Sequence, residues 1–191
     1  MNLGNVAARE LHHGCFLIAG PVITAASLIL LAVPTIGGSY WRTLFPAIVV
    51  MGFGMTISVA PLTTTVMHAA GDQYAGAASG INNAIARIAG LLAVALLGTI
   101  AVGAFRMALD KQLELLHTSA QVAQSLQGQA PRLAEAQVPA QFDSGTRQVL
   151  QQVFKLSFVF SFRVTTLIAG AAAFLGAIIA WLTIDRAKAT L

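Results

Sequence analysis

Apolar positions gather into four long runs, Cys15 to Val33, Leu44 to Met67, Ile88 to Phe105 and Val164 to Ile184, and none of them contains a charged residue. A hydrocarbon core about 30 Å thick needs about 20 apolar residues at a helical rise of ~1.5 Å. With no water inside that core, each segment must satisfy its own backbone groups, which a helix does. The pattern predicts an all-α integral membrane protein with four transmembrane helices.

The polar stretches between the runs set the organisation. Residues 1–14 form a short tail ending in His12-His13-Gly14. Pro34 to Thr43 carries Gly37-Gly38 and the aromatic pair Tyr40-Trp41, a tight turn with an interfacial anchor, so the first two spans (15–33 and 44–67) form an antiparallel hairpin. Gly71-Asp72 is the turn before the third span, which starts near Ala75 and runs to 105. Residues 106–153 differ in kind: they are polar, rich in Gln and Ala, and hold Pro131 and Pro139. They form a long extramembrane loop between the third and fourth helices. Within it Leu109, Leu113, Leu116 and Ala120 recur at helical spacing, Asp143 or Ser144 can cap a helix, and Val149, Leu150, Val153 and Phe154 give that helix an apolar face. A helical hairpin projecting from the bilayer is expected, followed by the fourth span (154–184) and a tail at 185–191.

Composition agrees with this picture. The chain is 57% hydrophobic and 9% charged, against about 25% charged in soluble domains. Its net charge of +4 comes from eleven Lys and Arg placed singly, without a basic stripe, so no nucleic-acid partner is expected. Cys15 is the one cysteine, which excludes an intrachain disulfide. The first run is too long for a signal peptide, contains Gly20-Pro21 and is followed by three more spans. Four spans place both termini on one side. Arg9, Arg186 and Lys188 flank that face, while Arg42, Arg106, Lys111, Arg147 and Lys155 flank the other, so charge alone puts the long loop inside.

Three stretches resemble one transporter family: Ala60-Pro61-Leu62-Thr63-Thr64-Thr65; Gly76-Ala77-Ala78-Ser79-Gly80-Ile81-Asn82-Asn83 with Arg87 and Gly90; and Ala95-Leu96-Leu97-Gly98. In this order they resemble the late helices of the fourteen-helix multidrug/proton antiporters of the major facilitator superfamily, the EmrB/QacA type. The resemblance covers essentially the whole chain and corresponds to a C-terminal portion. It implies a bacterial inner-membrane protein with cytoplasmic termini and an outer loop, against the charge count; long loops translocate largely regardless of charge. It also implies that the partners are the transporter's N-terminal helices, small lipophilic substrates and protons, besides the lipid bilayer. One local difference is Gly90-Leu91-Leu92, where the family often has a second glycine pair. The four runs hold no Asp or Glu to relay a proton, so this chain is expected not to transport alone. The alternative is a small free-standing membrane scaffold or assembly subunit.

The candidate residues follow from both readings. Met51, Met55, Thr56 and Ser58, with Phe53, can line a cavity for varied lipophilic cations, since thioethers adapt and hydroxyls orient; lipid or helix contact is the competing role. The resemblance makes the second and third helices the cavity wall, which adds Asn82 and Asn83. Gly76 and Gly80 form a small-xxx-small pair suited to close helix packing, as do Gly52 and Gly54 with Ala60. Arg87 either takes a functional role as a membrane cation or snorkels to the inner interface, and Arg163 is expected to anchor the outer start of the fourth helix. Ser79 has no base on another span, because His12, His13, His68 and His117 fall in tails and loops, so no enzyme is expected. The His12-His13 pair has no third ligand nearby, so neither a metal nor another cofactor is expected.

Overall fold

A computed structural model describes the backbone of residues 3–33, 35–135, 138 and 142–189, with side chains except at 3–15, 60, 61, 66–69, 72, 120 and 184–189. Several positions singled out above lie outside the described side chains: Arg9, His12, His13, Cys15, Pro34, Ala60, Pro61, His68, Asp72, Ala120, Pro139, Arg186 and Lys188.

Every regular element among the described residues is helical: α1 (Leu3–Leu31), α2 (Tyr40–Ala70), α3 (Ala75–Leu115), α4 (Ala120–Gln127) and α5 (Ser144–Ala189), with 3₁₀ turns at Asp72–Tyr74 and Ala130–Glu135. Three stretches are long and apolar enough to cross a membrane: Tyr40–Thr65, Ala75–Leu115 and Ser144–Thr183. In α1 the described apolar stretch is shorter, Phe16–Leu31.

α1 packs on α2 and α5, α3 packs on α5, and α2 and α3 touch sparingly. The α1/α2 hairpin turns at Gly37, whose φ of 85° lies in the left-handed region that glycine enters without a Cβ clash. Beyond the turn the ring of Trp41 lies 5.0 Å from that of Phe45 and is well exposed.

The two helices meet through a reciprocal interlock. A Cβ on Gly20 of α1 would stand 2.8 Å from the Ser58 backbone nitrogen of α2, and a Cβ on Gly54 of α2 would stand 2.6 Å from Thr24 Oγ1 of α1. Each glycine thus accepts the hydroxyl residue lying one turn from the partner glycine. The hydroxyls are satisfied within their own helices, Thr24 Oγ1 donating to the Gly20 carbonyl (3.0 Å) and Ser58 Oγ to the Gly54 carbonyl (2.8 Å). In the same antiparallel register, Leu31 and Ala47 are also buried. Small residues allow this approach where lipid supplies no hydrophobic drive for helix association.

α3 and α5 are much longer than a bilayer crossing. The 41 residues of α3 span about 60 Å at ~1.5 Å per residue, twice a hydrocarbon core. Their excess length forms a cap. Phe105, Leu109 and Leu113 of α3, Leu126 of α4, Ala130, and Leu150, Val153 and Phe154 of α5 make one buried cluster. The helical patterns anticipated in the loop are therefore present, with two differences. Leu116 is exposed because α3 ends at Leu115, and Val149 points away from the core that buries its neighbour Leu150. At the start of α5, Asp143 Oδ2 accepts the backbone N–H groups of Gly145 (3.0 Å) and Thr146 (3.1 Å), the N-cap expected there.

Candidate functional site

The candidate residues fall on three different surfaces. Ser58 is taken up by the α1/α2 interlock. Thr56, two residues earlier, is exposed and donates to its own helix at Gly52 (2.8 Å), Met55 is exposed, and Met51 is half-buried. On α3, Asn82 is half-buried while Asn83 and Arg87 are exposed. Gly76 and Gly80 have nothing within 4 Å of a built Cβ. Spacings of four, three and four residues place Gly76, Gly80, Asn83 and Arg87 on one face of α3.

That face belongs to a helix held mainly by its far end. From Ala75 to Gly103 no residue of α3 is buried, and burial begins at Ala104 and Phe105 where α3 meets α5. Ile81, Ile85, Ile88, Leu92 and Leu96 form a second, bulky face and are each about 60% exposed. The 18 residues between Arg87 and Arg106 carry no charge, so the two arginines bracket roughly 27 Å of apolar helix. Arg87 therefore stands at one edge of the apolar stretch, where its stem can lie along the helix and its head reach water.

Polar links gather at the opposite edge. Ser161 Oγ of α5 donates to the Ala101 carbonyl of α3 (2.7 Å). One turn before it, Ser157 is fully buried and its Oγ has no hydrogen-bond partner among the described residues. Arg163 Nη2 donates to the Val33 carbonyl (3.4 Å), just past the C-terminus of α1, where carbonyls lack intrahelical partners and the helix dipole favours a cation. Arg163 is thus more than a snorkelling anchor: it ties α5 to the end of α1. In the cap, Gln127 donates through Nε2 to Asp110 Oδ1 and to the Arg106 carbonyl, fastening α4 to α3.

Among the described residues two cavities lie beside the cap, and neither includes a residue of the candidate set. One, of about 540 Å³, lies between the turn at Leu133 and the α5 residues Gln151, Phe154, Lys155 and Phe158. The other, of about 410 Å³, is a groove between Leu115 at the end of α3, the following Leu116, and Val149, Gln152 and Leu156 of α5. Sequence reading missed the first because Leu133 and Val138 lie far along the chain from Phe158 and show no periodic pattern. The signal it could have used is the four-residue spacing of Phe154, Phe158 and Phe162. Among the described residues no cluster of three or more His, Cys, Asp or Glu could hold a metal ion.

No family model, no curated protein and no solved structure matches the chain.

Proposed function

We propose that this chain is the C-terminal portion of a proton-coupled multidrug exporter of the bacterial inner membrane, built on the major facilitator plan and inactive without its remaining helices. The observation that carries this reading is the bareness of α3. A helix of 41 residues stays unburied from Ala75 to Gly103, with one small-residue face and one bulky face both uncovered. Lipid can cover the isoleucines and leucines. It gains little from a notch at Gly76 and Gly80, which is the kind of surface another helix fills. Met55 and Thr56 on α2, and Asn82 and Asn83 on α3, would then face a cavity completed by the absent bundle, with substrate bound near the midplane between repeats. Because the four apolar runs hold no carboxylate, the proton relay must come from the other helices.

Dye efflux tests the reading directly. Cells expressing this chain alone should retain a lipophilic cationic dye like control cells. Co-expression with the ten-helix N-terminal portion of such an antiporter should lower dye accumulation severalfold. Efflux by the chain alone would refute the proposal. Stable self-association that buries α3, without efflux in either arrangement, would favour a free-standing scaffold instead.

A further inference from the structure

We propose that the 540 Å³ cavity beside the cap holds one acidic phospholipid, with its phosphate on Lys155 and its acyl chain descending along Phe158 and Phe162. The inference rests on the chain crossing a bilayer and is independent of whether it belongs to a transporter.

Three observations converge on it. The first is the order of polarity along one face of α5. Gln151, Lys155, Phe158 and Phe162 follow at spacings of four, three and four residues, so they share a face. Read toward the apolar run that begins at Val164, that face passes from an amide, to a cation, to two phenyl rings. This is the profile of a phospholipid in the same leaflet, headgroup outward and chain inward.

The second is the shape of the wall. The turn carrying Leu133, together with Val138, packs against the cap core and leaves an apolar recess beside Phe154 and Phe158. Leu133 has φ 46° and ψ −107°, a conformation that non-glycine residues seldom adopt, so the turn is bent away from regular helix at the cavity's edge. Below the recess Phe158 and Phe162 stack at 6.3 Å, forming a continuous aromatic track toward the membrane.

The third is charge. Lys155 is the one ionisable group among the described residues lining the cavity, and no carboxylate stands beside it there. Lysine binds phosphate as a flexible point charge, and Gln151 adds an amide donor one turn away. A zwitterionic lipid would bring its own cation and gain less.

The test uses the full chain in dodecyl maltoside, titrated with phosphatidylglycerol or with phosphatidylcholine of matched acyl chains and read by native mass spectrometry. Wild-type protein should retain phosphatidylglycerol about tenfold more strongly, the scale of one charge-assisted bond at a partly exposed site. Lys155→Arg should keep that preference and Lys155→Ala should abolish it; Lys155 is exposed, so its truncation leaves the cap core intact. Phe158→Ala should weaken retention of both lipids. Excess glycerol phosphate should displace neither. Equal retention of the two lipids by wild type, a preference that survives Lys155→Ala, or displacement by glycerol phosphate would each overturn the proposal, the last by revealing a site for free phosphate.

Discussion

Ser161 and Ala101, sixty residues apart in sequence, are joined by a 2.7 Å hydrogen bond from the Ser161 hydroxyl to the Ala101 carbonyl, at the level where α3 leaves its bare stretch and meets α5. One turn away Ser157 is equally buried but has no acceptor among the described residues. The two serines should respond oppositely to alanine. Ser161→Ala loses an interhelical bond that in membranes averages ~0.6 kcal/mol and reaches about 1.7 kcal/mol. Ser157→Ala removes a hydroxyl that gains nothing from its surroundings, so it should be neutral or stabilise by up to about 1 kcal/mol. Unfolding of both variants in mixed micelles with rising SDS reads the difference; equal losses would mean that Ser157 has a partner, such as a buried water.

The α1/α2 interlock predicts a sharp contrast among glycines. Gly20→Ala and Gly54→Ala each drive a methyl to within 2.8 Å of the facing backbone nitrogen, Ser58 or Thr24, and should destabilise the hairpin by about 1–3 kcal/mol. Gly76→Ala and Gly80→Ala meet open space, and in the isolated chain they should be neutral or add up to about 1 kcal/mol through helix propensity. On the proposed transporter reading, in which further helices fill that notch, the same two changes should impair assembly of the transporter. Thermal melts of the isolated chain, paired with dye efflux in the co-expressed form, separate the two cases.

The cap is the best-packed part of the described structure, and its core should be sensitive to truncation. Leu109 is fully buried between α4 and α5, so Leu109→Ala should cost about 2–5 kcal/mol. The loss should appear as faster proteolysis within residues 116–143, with the membrane-embedded parts of α3 and α5 still protected. Leu116→Ala, at an exposed position, should leave the cleavage rate unchanged.

Asp143, ahead of α5 and outside its apolar run, supplies a pH-dependent contribution. Its carboxyl is held below the usual carboxylate value of 3.8 chiefly by the Thr146 side chain and then by the Thr146 backbone N–H, with a lesser contribution from the Gly145 N–H, while desolvation opposes them. Because the folded value is depressed, the stabilisation is fully present above the unfolded value and is lost as pH falls through the folded one. Amide exchange at Gly145 and Thr146 should thus show constant protection from neutral pH down to about 4, corrected for intrinsic rates, and a drop below that. Asp143→Ala should remove the protection at every pH.

Much of the organisation was legible in the sequence. The apolar runs predicted long helices because helix length and bilayer thickness are both set by simple dimensions. The Asp143 cap and the helical spacing of Leu109 and Leu113 were visible because each depends on neighbours within a few residues. The candidate cavity residues were harder to place: Ser58 reads like Thr56 in sequence, yet one packs against Gly20 and the other is exposed.

Local chemistry, then, determined which segments are helical but not their bounds: α1 begins at Leu3 within the residues read as a tail, α2 begins at Tyr40 within the residues read as a turn, and α5 runs to Ala189 through the residues read as a second tail. Only the tertiary structure decided which face of each helix is covered. A membrane helix is apolar all round, so its sequence carries little of the periodic signal that marks a buried face in water. The glycine interlock of α1 with α2, the closing of the cap over Phe105, the cavity at Lys155 and the bareness of α3 all depend on contacts between residues distant in the chain. They became visible only when the helices were set side by side.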